Sequence, residues 1–169
     1  KLITTSNGQV FDPINSFKTN QIKLARLQRK QRKKVKFSQN WKKLNFKINK
    51  LHHHIANIRH DYLQKITTTL SKNHAMIAVE DLKVANMSKS ASGTIENQGK
   101  NVKAKSGLNK SILDQGWGML VSMLEYKQQW RGGLLVKVDP KYTSQTCCEC
   151  GHVAKENRQT QAKFECNGC

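Results

Sequence analysis

Cys147, Cys148 and Cys150 crowd into the stretch TSQTCCECGHV, and a second pair, Cys166 and Cys169, follows in ECNGC. Two C-x2-C pairs with fifteen residues between them have the spacing of a four-thiolate zinc site. Each pair makes a tight knuckle, and the two together offer four sulfurs at tetrahedral angles. Zn2+ suits soft thiolates and brings no redox chemistry of its own. Gly151, directly after the first pair, tolerates the positive φ that the turn of a knuckle favours. Disulfides or a thioredoxin-like redox pair are the competing readings, but the latter sits at the start of a helix, and nothing helical follows Cys150 in the sequence pattern. Cys148 would leave one residue before Cys150, too few for the usual knuckle. Cys147, Cys150, Cys166 and Cys169 are therefore assigned as ligands of a structural Zn2+ and Cys148 as a bystander. Such sites supply on the order of 10 kcal/mol of folding free energy, so the ribbon they close is expected to unfold without metal.

Other residue types that could do chemistry are weaker on their own. Glu80 and Asp81 end an apolar run, HAMIAVEDL, and a carboxylate at a strand end is well placed to hold a metal but is more often an ordinary strand-end acid. Asp139 stands before Pro140, where it shapes a turn. His52, His53 and His54 are consecutive, so on a helix they point in different directions and cannot converge on one ion. Trp117, Tyr126 and Trp130 could stack on bases, yet their place on an amphipathic segment favours a role in the core.

The elements that position these residues are legible from periodicity. Trp41, Leu44, Ile48, Leu51, Ile55, Ile58 and Tyr62 recur every three or four residues, and Ile66 and Leu70 continue the same face. That spacing predicts a helix of about 30 residues. A weaker set at Ile22, Leu24 and Leu27 predicts a preceding helix, with Val35 to Gln39 as the connection, giving an antiparallel hairpin. Asn7-Gly8 marks a turn from KLITTS into Val10 and Phe11. Ala75 to Val79 reads as a buried strand. Residues 86–109 lack aromatics and carry four Lys, three Gly and four Ser, which reads as a mobile loop, a lid or a nucleic-acid contact strip. Ser111 with Asp114 resembles a capping box opening a helix from Ile112 to Trp130, with Leu113, Trp117, Leu120, Val121 and Leu124 as its apolar side. Gly132-Gly133 stops it, and LLVKVDP is a further strand. Strands alternating with helices give α/β order.

Charge points to a partner. Thirty Lys and Arg against eleven Asp and Glu give a formal charge of +19, so a polyanion, nucleic acid before membrane, is the leading inference. From Phe17 to His60 there is no acid, while residues 18–50 hold thirteen Lys and Arg. An ordinary exposed helix mixes signs for i,i+4 support. Lys23, Arg26, Arg29, Lys30, Arg32, Lys33, Lys34, Lys36, Lys42 and Lys43 are accordingly the candidate phosphate contacts. No run of apolar residues is long enough to span a bilayer, and the N-terminal residues lack the apolar core of a secretory signal. The reading is a soluble intracellular protein with reduced thiols.

In order, LARLQRKQRKK, KINKLHHHIANIRHDYLQKITTTL, IAVEDLKVANM, DQGWGMLVSMLEYKQQWRGG, LLVKVDPKYTSQTCCECGHV and ENRQTQAKFECNGC cover almost the entire chain. Together they resemble the TnpB (OrfB) proteins of bacterial insertion sequences, RNA-guided nucleases ancestral to type V CRISPR effectors. The resemblance implies an α/β fold: a partial RNase H-like (RuvC) sheet with a long basic helical hairpin insertion and a C-terminal zinc ribbon. It divides the chain at residue 140, with the nuclease part at 1–140 (hairpin about 17–71, loop about 86–109) and the ribbon at 141–169. It implies two Mg2+ ions held between three carboxylates, of which Glu80 in VEDL is the second, and an arginine near the scissile phosphate, Arg158 in ENR. The family's first catalytic Asp lies on the strand just before KLITTSNG and its third a few residues beyond the second cysteine pair, so the chain reads as cut at both ends. The expectation is a fragment of a transposon-encoded RNA-guided DNA endonuclease, inactive alone, acting on DNA with a guide RNA. It needs no membrane and no small-molecule substrate, and belongs in the bacterial cytoplasm with the nucleoid. A degenerate or nuclease-dead nucleic-acid-binding remnant or repressor is the alternative, and an unrelated zinc-ribbon nucleic-acid protein a weaker one.

Overall fold

A computed structural model describes residues 1–160 and 163–169; Gln161 and Ala162, within the expected ribbon span, lie outside the described residues. Asn7 and Gly8 turn a short antiparallel hairpin, β1 (Ile3–Thr4) and β2 (Val10–Phe11), in which Ile3 faces Phe11 and Thr4 faces Val10. Two long helices follow, α1 (Ser16–Arg32) and α2 (Gln39–Asn73). Ser38 caps α2 by accepting from the Trp41 N–H at 3.3 Å. The helices run antiparallel: Gln31 near the end of α1 donates to Asn45 near the start of α2 at 3.1 Å.

The apolar stripe of α2 serves two cores. Its first half packs Ile48, Leu51 and Ile55 on Leu24, with Phe17 and Leu27 at the edge. Its second half packs Leu63, Ile66 and Leu70 against Leu120, Met123 and Leu124 of a later helix and Leu2 beside β1. The stripe drifts around the helix, so Leu63 is 1% exposed while the expected Tyr62 is half-buried and donates its hydroxyl to the Asp12 carbonyl at 2.6 Å. A straight helix falls about 20° short of two full turns in every seven residues, which is the cause of that drift.

β3 (Met76–Glu80) pairs in parallel with β4 (Leu134–Val138), and Glu80 lies opposite Val138. Parallel neighbours need a crossover, here supplied by α3 (Val84–Met87), α4 (Val102–Gln115) and α5 (Trp117–Trp130). β3 is not buried on both faces as its apolar run suggests: Ile77 and Val79 face the core while Met76, Ala78 and Glu80 are exposed. The strands form two separate two-stranded sheets rather than one mixed sheet.

The crossover departs most from expectation. Helix begins at Val102 inside the supposed loop, because Lys105 donates to the Met87 carbonyl at 2.7 Å and Asn109 to those of Ser88 and Lys89 at 2.8 and 3.0 Å, tying weak helix formers to α3. The expected continuous helix to Trp130 is broken at Gly116, whose φ of 73° is left-handed and whose missing Cβ would meet Arg59 Cδ at 3.0 Å and Leu63 Cδ1 at 3.1 Å. Ser111 is not a cap: its hydroxyl donates to the Gly107 carbonyl one turn back. Ile22, Leu113 and Trp130, expected on apolar faces, are 65%, 55% and 79% exposed.

Candidate metal centre and basic face

The C-terminal residues bring the sulfurs of Cys147, Cys150, Cys166 and Cys169 within 4.8 Å of one another. Cys147 Sγ lies 3.8 Å from Cys169 Sγ, and Cys150 Sγ 3.6 Å from Cys166 Sγ. A disulfide requires about 2.05 Å, whereas four sulfurs at about 2.3 Å from a tetrahedral Zn2+ stand about 3.8 Å apart. The donor set therefore fits that ion. Cys148 is exposed and outside the cluster. Among the described residues no other group of three or more His, Cys, Asp or Glu side chains is close enough to hold a metal.

Local structure builds each knuckle. Cys147 N–H donates to the His152 carbonyl at 2.9 Å and Gly151 N–H to the Cys147 carbonyl at 3.0 Å, with Gly151 at φ 72°. Gly168 N–H points at Cys166 Sγ at 3.2 Å. Between the knuckles lies Asn157, fully buried, whose amide donates to the carbonyls of Gln145 and His152 at 3.0 and 3.2 Å. Nothing in the sequence singles this asparagine out, since its partners are dispersed backbone groups.

Crowding of the thiols separates the acidities of Cys147, Cys150 and Cys169. Backbone N–H groups of Cys150 and Glu149 stabilise the Cys147 thiolate and lower its pKa to about 7. Hydrogen bonding with the thiols of Cys166, Cys150 and Cys147 raises Cys169 to about 12. A bound cation removes the conflict by accepting all four thiolates at once.

Glu80 occupies the end of β3, exposed, and its Oε1 accepts from Thr143 Oγ1 at the start of the cysteine-rich segment at 3.4 Å. It lines a cleft of about 420 Å³ together with Leu2 to Thr4, Ala78 to Leu82, Trp117 and Lys137; among the described residues β1 is paired with β2 alone and β3 with β4 alone. Asp81 pairs instead with Lys83, and its N–H donates to the Val138 carbonyl at 2.8 Å. Asp139 accepts from Lys141 N–H at 2.9 Å, shaping the turn out of β4. Arg158 follows a 3-10 turn (Lys155–Asn157), is exposed, and bridges to Phe164; it is not part of the cleft wall that holds Glu80.

The basic residues gather on the hairpin. Lys23, Arg26, Arg29, Lys30 and Arg32 lie on α1, Lys33, Lys34 and Lys36 in the connection, and Lys42 and Lys43 on the first turns of α2. All ten are exposed, and among the described residues none is in an ion pair. His52, His53 and His54 are exposed and do not converge.

Comparison with known proteins places this architecture. The sequence model of the family described as "Probable transposase" (OrfB_IS605) matches residues 1–91, more than half of the chain. The chain belongs to this transposase family, the TnpB family. A second family model, the "Cas12f1-like, TNB domain", matches residues 117–169 and so takes in the cysteine cluster. The chain is 64% identical over 166 residues to "Putative RNA-guided DNA endonuclease InsQ" of Escherichia coli (strain K12), covering 98% of this chain and 41% of that protein. A Streptomyces pristinaespiralis protein also named for RNA-guided DNA endonuclease activity is 34% identical over 153 residues, 90% of this chain and 34% of its own length. A stretch of 44 residues, 26% of this chain and 10% of the relative, is 48% identical to the "CRISPR-associated endodeoxyribonuclease Cas12f1" of Sulfoacidibacillus thermotolerans. The chain thus spans about two fifths or less of these relatives. Among the described residues no helix is long and apolar enough to cross a membrane.

Proposed function

We propose that these 169 residues are the greater part of the nuclease region of a transposon-encoded, RNA-guided DNA endonuclease, working in the bacterial cytoplasm beside the nucleoid. Residues 1–140 are a RuvC-like part and residues 141–169 a zinc ribbon. The observation that carries this reading is the place of Glu80, at the end of a parallel strand and in a cleft it shares with Leu2 to Thr4. The cleft suits an added extended strand, and the strand that the resemblance puts just before Lys1 would bring the first catalytic Asp beside Glu80. Glu80 would then be one of the carboxylates holding Mg2+, whose chemistry is to activate water and stabilise the leaving oxygen. Arg158 acts at the scissile phosphate from the ribbon. Zn2+ on the four cysteines is structural.

The ten hairpin cations contact phosphates of DNA or guide RNA. Their support is exposure and, among the described residues, the absence of ion pairs, in a stretch of sequence with no acid from Phe17 to His60. Glu80 alone cannot hold two Mg2+ ions, so these residues by themselves bind but do not cut.

Fluorescence anisotropy with labelled DNA and RNA across a salt series tests the binding, and a Mg2+ cleavage assay tests the inactivity. Affinity is expected to fall with salt at a log-log slope of about 0.9 per duplex phosphate neutralised and about 0.7 for single strands. Replacing Lys33, Lys34 and Lys36 by Gln should flatten that slope. Binding that is absent or indifferent to salt defeats the polyanion reading. Mg2+-dependent cleavage by this chain that Glu80→Gln abolishes defeats the inactivity. In a chain extended to the length of its relatives, Glu80→Gln should abolish cleavage and leave binding intact.

A further inference from the structure

The connection between α1 and α2 carries an aromatic ring that the fold does not bury. Phe37 has φ 66°, in the left-handed region that a bulky L residue adopts only where its surroundings hold it there. Those surroundings are built: Lys34 N–H donates to the Gln31 carbonyl at 3.0 Å, Ser38 N–H to the Val35 carbonyl at 3.1 Å, and Ser38 Oγ accepts from Trp41 N–H. Phe37 meets Trp41 edge to face, with centroids 5.4 Å apart and planes at 62°. That contact resembles a staple on the first turn of α2 and explains one side of the ring. It leaves Phe37 64% exposed, with Lys36 Nζ 5.0 Å from its centre.

Around this ring the sequence holds only one sign of charge. Arg32, Lys33, Lys34, Lys36, Lys42 and Lys43 flank it along the chain, with no acid between Arg32 and Lys43. A purely electrostatic contact to phosphates needs no exposed aromatic at its centre, and a core residue needs no ring of cations. A single-stranded polynucleotide satisfies both, because unpaired bases offer π-faces to an aromatic while flanking phosphates take the cations. A duplex keeps its bases stacked on one another.

We propose that the hairpin tip is a stacking site for an unpaired base of single-stranded nucleic acid, with Phe37 as the platform and the six flanking cations on the adjoining phosphates. This rests on the hairpin being the polyanion face and adds a base contact to it.

The test uses the full 169-residue chain and four probes of equal length: single-stranded DNA, single-stranded RNA, an abasic strand, and duplex DNA. Phe37→Leu keeps apolar cover on Trp41 without a ring; Phe37→Tyr keeps the ring. The expected result is a loss of about five- to a hundredfold for Phe37→Leu on the base-bearing single strands. Phe37→Tyr should stay near wild type, and neither variant should change abasic or duplex binding. Loss confined to DNA or to RNA supports the site and identifies which strand it takes. Unchanged single-strand affinity in Phe37→Leu, or equal loss on the abasic strand, overturns the stacking site while leaving the polyanion face standing. Wild-type protein that binds none of the probes at low salt overturns both.

Discussion

Asn157 Oδ1 accepts a hydrogen bond from Asn167 N–H at 3.1 Å, joining the residue between the two knuckles to the loop of the second cysteine pair. The same residue's carbonyl accepts from Glu165 N–H at 2.8 Å, and its amide holds Gln145 and His152 beside the first pair. One buried side chain thus fixes both halves of the ligand set, a role beyond the ligands that commonly tunes affinity. Asn157→Ala should lower Zn2+ affinity about 10- to 100-fold, measured by competition with a chromophoric chelator. Wild-type affinity in that variant would show that the knuckles hold their own geometry.

The four sulfurs and the spare thiol make opposite predictions. Ser at position 147, 150, 166 or 169 should remove stoichiometric zinc and unfold the ribbon, because the metal supplies on the order of 10 kcal/mol to such a small unit. Cys148→Ser should bind one equivalent, since Cys148 is exposed and outside the cluster. Metal analysis of purified protein and near-UV circular dichroism after chelation read both outcomes.

Zinc binding must also release protons. Without metal, Cys169 is pushed up to about 12 by hydrogen bonds with Cys166, Cys150 and Cys147, so it enters as a thiol at neutral pH. Cys150 also stands above its ordinary value: the His152 N–H pulls it down most strongly, but hydrogen bonding with Cys166, burial and hydrogen bonding with Cys147 together outweigh that pull. Cys147, lowered to about 7 by the Cys150 and Glu149 N–H groups, is already partly thiolate. A metal binds thiolates only, so affinity is greatest at high pH and falls as protons compete on acidification. Titration calorimetry at pH 7 in buffers of different ionisation enthalpy should return at least two protons per Zn2+. A buffer-independent heat would contradict the assignment.

How far the sequence carries depends on how local each signal is. The hairpin helices and the Asn7-Gly8 turn follow from spacing and turn chemistry within a few residues, and they stand where periodicity places them. The cysteine cluster was legible because metal spacing is itself a local code. Leu63 lies off the three-four seam that runs to Tyr62, because the real stripe drifts around the helix. Trp130 is exposed at the end of α5, where its ring stacks edge-on against Tyr126 at 4.7 Å instead of entering the core. Asn157 and the break at Gly116 answer to partners far along the chain, which no window of sequence displays.

Asp114 shows that limit and yields the sharpest stability prediction. Placed by sequence as half of a capping box with Ser111, it instead caps a helix 97 residues away: its carboxylate accepts from Phe17 N–H at 2.9 and 3.1 Å. It also accepts from Lys18 N–H at 3.2 Å and Ser16 Oγ at 3.2 Å. Asn15, the residue at the cap position of α1, makes no side-chain cap bond, so Asp114 supplies the acceptor and the negative charge that a helix start favours. Arg59 Nη1 pairs with Asp114 at 3.4 Å, the carboxylate being buried. Asp114→Ala leaves the buried Ser16 hydroxyl and the partly buried Phe17 and Lys18 N–H groups without their acceptor and should cost about 2–4 kcal/mol, read as a shifted urea midpoint by circular dichroism. Asp114→Asn keeps the shape and one acceptor and should cost about half of that. Zinc content should stay at one equivalent in both variants, since the loss falls on the docking of α1 and not on the ribbon. A midpoint within about 0.5 kcal/mol of wild type, the scale of an ordinary surface substitution, would show that water replaces the carboxylate and that α1 is held by its apolar seam alone.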